Sequence, residues 1–368
     1  MKTSDFYFEL PENLIAQSPS RERGQSRLMT LDRSSGERLH RKVLQLPDIL
    51  SEERFLSPLG EKPLLVFNDT KVRKARLTGI SSDTGAKAEF LLLEKKLNDE
   101  WKTLVQRSSR RRVGSCYVFY DTEKRETAKA EITGQEGEFK FIRFDRHIND
   151  DFLDKYGSVP LPPYIKRKDV PSDAERYQTV YARETRLNEA NQTRSAAAPT
   201  AGLHFTHELL EALKTNGMES AFITLHVGLG TFLPVRSENV EDHVMHEESF
   251  LITEQNASLI ENAFAANRKI IAVGTTSLRT LESAANTEQS GKHQLRLTRG
   301  EQSTSIFIYP GYNFKAADAL FTNFHTPMST LLMLVSAFAG KELILESYKE
   351  AIKNEYKFFS YGDAMLIY

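Results

Sequence analysis

The chain has 368 residues, enough for two domains with cores of their own. Its 40% hydrophobic and 27% charged content is that of a globular protein and excludes a disordered one. The net charge of −1 requires any polyanion to be met by a local basic patch, and the single cysteine, Cys116, excludes an intramolecular disulfide and a multi-thiolate zinc site.

Cys116 sits in the apolar run to Tyr120 and is expected in a core. The start, Met1 to Phe6, lacks the apolar stretch of a signal peptide, and no segment approaches the roughly 20 apolar residues of a membrane span. A cytoplasmic address and no membrane contact are expected.

In chain order, Pro11–Gln17 reads as a short helix with Pro11 in its first turn. Strands follow at Arg27–Leu31 and Leu64–Phe67; the second is a continuous apolar run that ends on Asn68-Asp69-Thr70. The texture then changes. Ala75–Ile80, Ala88–Leu93, Trp101–Val105, Ser115–Tyr120, Ala128–Thr133 and Phe139–Phe144 alternate apolar with polar residues and have turn signals between them. Six close strands without helices predict a small barrel.

Pro160-Leu161-Pro162-Pro163 is a stiff bridge, and Arg183–Thr193 reads as a polar loop. The rest alternates. Helices are predicted at Thr206–Thr215, Glu254–Asn267, Ser277–Ala285, Ser329–Ala339 and Lys341–Glu355. Strands are predicted at Ala221–His226, Lys269–Val273, Ser305–Tyr309 and Ala319–Asn323. The expected fold is α/β, a mixed sheet layered with helices over residues 1–72 and 155–368, plus an inserted small β-barrel domain over 73–154.

Four loops at strand ends are dense in Gly, Thr, His or Pro: Pro199–Thr206, His226–Phe232, Val273–Thr280 and Asn323–Pro327. In the third, a strand feeds a helix through Gly274. This suits a carboxylate or phosphate at the helix start, with Arg279 one turn in; a merely capped αβ unit is the alternative. No Walker A or complete G-x-G-x-x-G fingerprint is present.

Asp242-His243-Val244-Met245-His246-Glu247 is the sharpest titratable cluster. It supports acid/base work, with Glu247 orienting an imidazole, or a polar loop whose histidines bond carbonyls. His226, His243 and His246 as a metal trio would make a hydrolase instead. Lys71 to Arg112 holds twelve Lys or Arg against five Asp or Glu. Its tip, with Arg107, Arg110, Arg111 and Arg112, reads as a phosphate contact for RNA or as a solvated turn. A non-enzymatic RNA binder would leave the histidine loops without a purpose.

At these loops the chain resembles the S-adenosylmethionine:tRNA ribosyltransferase-isomerase family of queuosine biosynthesis. The matching stretches begin with Ser4-Asp5-Phe6, Leu14–Gln17, Ser26-Arg27-Leu28, Val66–Thr70, Pro160–Ile165 and Arg176–Ala182. They continue with Ala198–Phe205, Leu225–Phe232, Asp242–Glu247, Gly274–Ser277, Ile308–Tyr312, Asn323-Phe324-His325, Ser329–Phe338 and Phe359–Leu366.

The resemblance implies an α/β domain with an inserted barrel. It also implies transfer and isomerisation of the ribosyl group of S-adenosylmethionine onto 7-aminomethyl-7-deazaguanine in a tRNA with a GUN anticodon. The products would be epoxyqueuosine in tRNA, adenine and methionine. S-adenosylmethionine would be a co-substrate; no cofactor, no metal and a monomer are expected.

On matching positions, His226 or His246 is cast as base with Glu247 orienting, and His204 or His325 as acid toward adenine. Asp69 or Asp363 would face the sulfonium, and Arg279 would take the methionine carboxylate. Asn68, Thr200, Gly228, Gly230, Thr275, Thr276 and Tyr312 complete the expected substrate site. Two departures stand out: Met328 occupies the place of the family's lysine, and Arg183–Ser195 is longer than usual.

Overall fold

The computed structural model describes residues 1–96, 98–105, 111–183, 195–228, 235, 237–286 and 295–368. The calls on Gly230, Arg107 and Arg110, and the predicted polar loop after Arg183, lie outside the described residues.

The early strands are β1 (Arg27–Leu31), β2 (Arg38–Lys42) and β3 (Leu64–Asn68), with the short helix α1 (Leu46–Ile49) before β3. The six barrel strands are β4 (Arg76–Ser81), β5 (Lys87–Lys95), β6 (Glu100–Val105), β7 (Cys116–Tyr120), β8 (Glu126–Glu136) and β9 (Phe139–Phe144). They close in the order β4-β5-β6-β9-β8-β7, each pair antiparallel. Alternation fills the interior: Phe90, Leu92, Trp101, Tyr117, Phe119 and Ile142 point in and form one core. On β7 this sends Cys116 outward, so it is exposed and not in the core.

Two short helices follow, α2 (Asp150–Tyr156) and α3 (Asp173–Arg176), then α4 (His207–Thr215), β10 (Glu219–Leu225), β11 (Glu248–Ile252) and α5 (Glu254–Ala265). Next come β12 (Ile270–Val273), α6 (Thr275–Ala284), the two-residue pair β13 (Ala285–Asn286) and β14 (Arg296–Leu297), and β15 (Gly300–Thr304). The chain ends with β16 (Ala319–Asn323), α7 (Thr330–Ala339), α8 (Lys341–Lys353) and β17 (Ala364–Ile367).

Nine of these strands form a mixed sheet in the order β15-β11-β10-β3-β12-β16-β17-β1-β2. β10, β3, β12 and β16 run parallel. β17 runs against β16, and β1 lies parallel to β17. Alternate residues of β3 feed opposite cores. Leu64 and Val66 pack with α5, α6, α7 and α8, whereas Leu65 and Phe67 pack with α1 and α4. A central strand buried on both faces must be apolar throughout. No helix among the described residues is long and apolar enough to cross a membrane.

Two predicted elements differ. Pro11–Gln17 makes only a turn at Glu12–Leu14, because Ile15 and Ala16 are drawn into backbone pairing with Phe358. The strand predicted at Ser305–Tyr309 lies instead at Gly300–Thr304; the ladder stops where β11 begins, with Thr304 opposite Glu248.

Candidate active site

The C-terminal ends of β3, β10, β12 and β16 reach one edge of the sheet, where open α/β sheets place their ligand crevice. The segments that leave β10, β12 and β16 wall a cavity of about 310 Å³ together with Ala197 to Ala201, Tyr164, Phe359 and Ser360. Thr200, Thr275, Thr276 and His325 line it, as do Val227, Asn323, Phe324 and Met328. Its described lining holds no Lys, Arg, Asp or Glu.

At the end of β3, Asn68 acts as a clamp. Its Nδ2 donates to the Leu225 carbonyl (3.1 Å) and to Thr276 Oγ1 (3.3 Å), while its Oδ1 accepts from the N–H groups of Leu225 and Thr70. It therefore joins β3, β10 and α6. Asp69 accepts from Thr224 Oγ1 at 2.6 Å and lies 3.9 Å from Arg183. Burial pushes its carboxyl above the ordinary range, against the pull of Thr224 and Arg183. Thr70 Oγ1 and His226 Nδ1 are 2.9 Å apart, which fixes the ring one residue before the cavity residue Val227.

On the far wall, Asn323 Nδ2 donates to the Phe359 carbonyl (3.1 Å), which sets the orientation of the amide. The same nitrogen meets His204 Nε2 at 3.0 Å, so that ring nitrogen accepts. Thr200 Oγ1 donates to Asn323 Oδ1 at 3.2 Å. His325 Nε2 lies 2.9 Å from Thr322 Oγ1, and its backbone N–H donates to Tyr348 Oη. Burial lowers His204 to about 4, helped by Arg23, and burial lowers His325 to about 3. Both rings are neutral at neutral pH. Tyr164 and Ser360 share a hydroxyl hydrogen bond, and burial pushes the Tyr164 phenol up to about 12.

Other predicted site residues lie elsewhere. Arg279 is buried against Glu248, donates to the Ile306 carbonyl and does not line this cavity. Gly228 N–H donates to the same Glu248 at 2.8 Å. His246 packs edge-on against Phe139 of the barrel and faces Glu138 at 3.9 Å. Glu247 is exposed and accepts from Ser303. Tyr312 donates to Glu282, whose carboxylate also takes the N–H groups of Lys315, Ala316 and Ala317. Asp363 holds the Arg27 and Lys357 N–H groups, with Arg27's guanidinium beside it.

The alternative metal trio is not assembled: His226 meets Thr70, His243 stacks edge-on against Phe307, and His246 meets the barrel. No group of three His, Cys, Asp or Glu among the described residues is placed to hold a metal ion. Arg111 donates to the Lys87 carbonyl, and Arg112 is exposed. Tyr164, Asn323, Phe359 and Ser360 were not among the predicted site residues, although all four fall in stretches that carry the resemblance. Their partners are distant in sequence, and residue chemistry alone does not single them out.

The arrangement offers an uncharged cavity with an aromatic wall, several hydroxyls, the neutral imidazole of His325 and a helix start. Such a lining suits a flat heteroaromatic ligand with a few polar groups. The family described as queuosine biosynthesis protein matches residues 3–367. The chain is similar to the S-adenosylmethionine:tRNA ribosyltransferase-isomerases of Treponema denticola and Caldanaerobacter subterraneus subsp. tengcongensis, with 49% identity to each over 370 residues and full coverage on both sides. A solved S-adenosylmethionine tRNA ribosyltransferase from Thermotoga maritima is 33% identical, with a TM-score of 0.52, and the match covers 99% of this chain and 100% of that one. With the family matched over residues 3–367 and the first two relatives 49% identical over the whole chain, the chain belongs to the queuosine biosynthesis family of S-adenosylmethionine:tRNA ribosyltransferase-isomerases.

Proposed function

We propose that this enzyme moves the ribosyl group of S-adenosylmethionine onto 7-aminomethyl-7-deazaguanine in the anticodon of a GUN tRNA, and isomerises it to give epoxyqueuosine, adenine and methionine. The observation that carries this reading is the uncharged, partly aromatic cavity at the C-terminal ends of the parallel strands, walled by the family's loops. It acts without cofactor or metal, as a monomer in the cytoplasm, with S-adenosylmethionine as co-substrate.

The sulfonium acidifies the neighbouring C5′ hydrogens, so a positioned base forms the ylide that opens the ribose. The purine takes a proton as it leaves, the neutral aminomethyl nitrogen attacks, and methionine departs as the epoxide closes. Of the two proposed bases, His226 is favoured by its hydrogen bond to Thr70 and its place one residue before the lining residue Val227, whereas His246 lies against the barrel. His325 and, behind Asn323, His204 face the adenine in this assignment. Being neutral, they offer hydrogen bonds in the resting state. Arg107, Arg110, Arg111 and Arg112 are the proposed tRNA contacts of the barrel.

The test is incubation with S-adenosylmethionine and tRNA bearing 7-aminomethyl-7-deazaguanine, with adenine and methionine quantified by chromatography. Equimolar release with modified tRNA is expected, and none with tRNA lacking the amine. No adenine from the wild type would sink the reaction. His226→Ala is expected to slow release by about a hundredfold or more; full activity would remove His226 as base.

A further inference from the structure

α6 begins at the cavity wall, and its start is left open. Gly274, its N-cap, has φ +92° and ψ 153°, a conformation that favours glycine, and it has no side chain with which to cap the helix. Thr206, Thr253 and Ser329 cap α4, α5 and α7 with their hydroxyls. The first N–H groups of a helix have no intrahelical acceptor and carry the positive end of its dipole.

A second observation points to a ligand there. Thr275 is only 7% exposed and lines the cavity, and its hydroxyl has no hydrogen-bond partner among the described residues. The residue is more than nine-tenths buried, and what remains open of it faces the cavity. Its neighbour Thr276 is engaged by Asn68, which holds the helix start in place. Arg279, one turn further on, is committed to Glu248. An anion at this point would therefore meet N–H groups, a hydroxyl and a helix dipole, without a cationic side chain in the described lining. That suits a singly charged carboxylate better than a phosphate dianion.

We infer that the start of α6, with the Thr275 hydroxyl, is the carboxylate subsite of the cavity and takes the amino-acid carboxylate of the sulfonium co-substrate. This rests on the proposed reaction. Thr275 Oγ donates one hydrogen bond to the carboxylate, beside those from the N–H groups. The aromatic wall of Tyr164, Phe324 and Phe359 is then left for the purine and the sulfonium.

The test is calorimetric binding in the presence of tRNA with an unmodified guanine, which lacks the attacking amine and cannot turn over. S-adenosylmethionine and its decarboxylated analogue are the two probes. The wild type is expected to bind S-adenosylmethionine about tenfold or more tightly than the analogue. Thr275→Val should lose most of that preference, and Thr275→Ser, which keeps the hydroxyl, should retain it. Circular dichroism and binding of the analogue itself report whether Thr275→Val is folded. Equal binding of both probes by the wild type, or an undiminished preference in folded Thr275→Val, overturns the subsite alone. Binding of neither probe overturns the co-substrate reading and the subsite with it. If Thr275→Val weakens binding of tRNA and not of S-adenosylmethionine, the anion is a nucleic-acid phosphate and the assignment is overturned.

Discussion

His204 and His325 carry a pH dependence that follows from their burial. Their folded values, about 4 and about 3, lie below the 6.5 of an unfolded chain. Above pH 6.5 neither state is protonated and their contribution is fully present. As pH falls below 6.5, the unfolded chain takes up protons that the fold refuses, and stability drops until the folded values are reached. Each ring accounts for about 1.4 kcal/mol per pH unit through that window. Urea midpoints between pH 7 and pH 5 should therefore fall more steeply for wild type than for His325→Gln; parallel slopes would contradict the buried, neutral ring. The same residue scale explains one mismatch with expectation. Cys116 is outward because its neighbours Tyr117 and Phe119 take the barrel interior. Met328, the departure from the resemblance already visible in the sequence, lines the cavity at φ +55° and brings no cation there.

Among the elements, α6 organises the most. Nearly all of it is buried, it borders the cavity at Thr275, and it holds β11 through the ion pair between Arg279 and Glu248. Each of these two residues is 4% exposed at its side chain, so removing one charge strands the other. Arg279→Met is expected to cost about 3–5 kcal/mol, and the pair Arg279→Met with Glu248→Gln distinctly less. Denaturant unfolding of the single and double variants measures this; an undamaged single variant would refute the structural role. Sequence spacing placed Arg279 one turn inside a helix at a strand end. It did not carry the information that Glu248, 31 residues earlier, takes the guanidinium. The edge strand β2 and the strands β11 and β17 were not predicted either. β2 is a polar, largely exposed edge, and a four- or five-residue segment acquires its pairing only from neighbours far along the chain.

At the scale of the molecule, the barrel interrupts the sheet domain and must hand the chain back within a few residues. That return passes through Gly157. A Cβ there would lie 2.0 Å from the Lys74 carbonyl oxygen and 2.6 Å from that of Leu153, and both are backbone atoms with little room to yield. Gly157→Ala is expected to destabilise the protein at the upper end of the roughly 1–3 kcal/mol typical of overpacking, read as a lowered melting temperature. An unchanged melting temperature would show that the junction is loose. Farther round, His246 rests on the β8–β9 hairpin through Phe139 and Glu138, so one histidine of the cluster most conspicuous in the sequence serves as a contact between barrel and sheet domain.

The α/β layering, the central strands of the sheet, the six barrel strands and most loops that wall the cavity were legible in the amino-acid sequence. Periodicity two and 3.6, and Gly, Pro and Thr at strand ends, are local properties that survive in one dimension. Which side chains of those loops meet is set by the packing of distant segments. His204 and Asn323 come together across 119 residues, and Tyr164 and Ser360 across 196. Asp363 and Tyr312, equally eligible by chemistry, instead tie down backbone and loop. A polar side chain near a strand end is drawn to whichever buried donor or acceptor most needs a partner, and that depends on the packing of the whole chain.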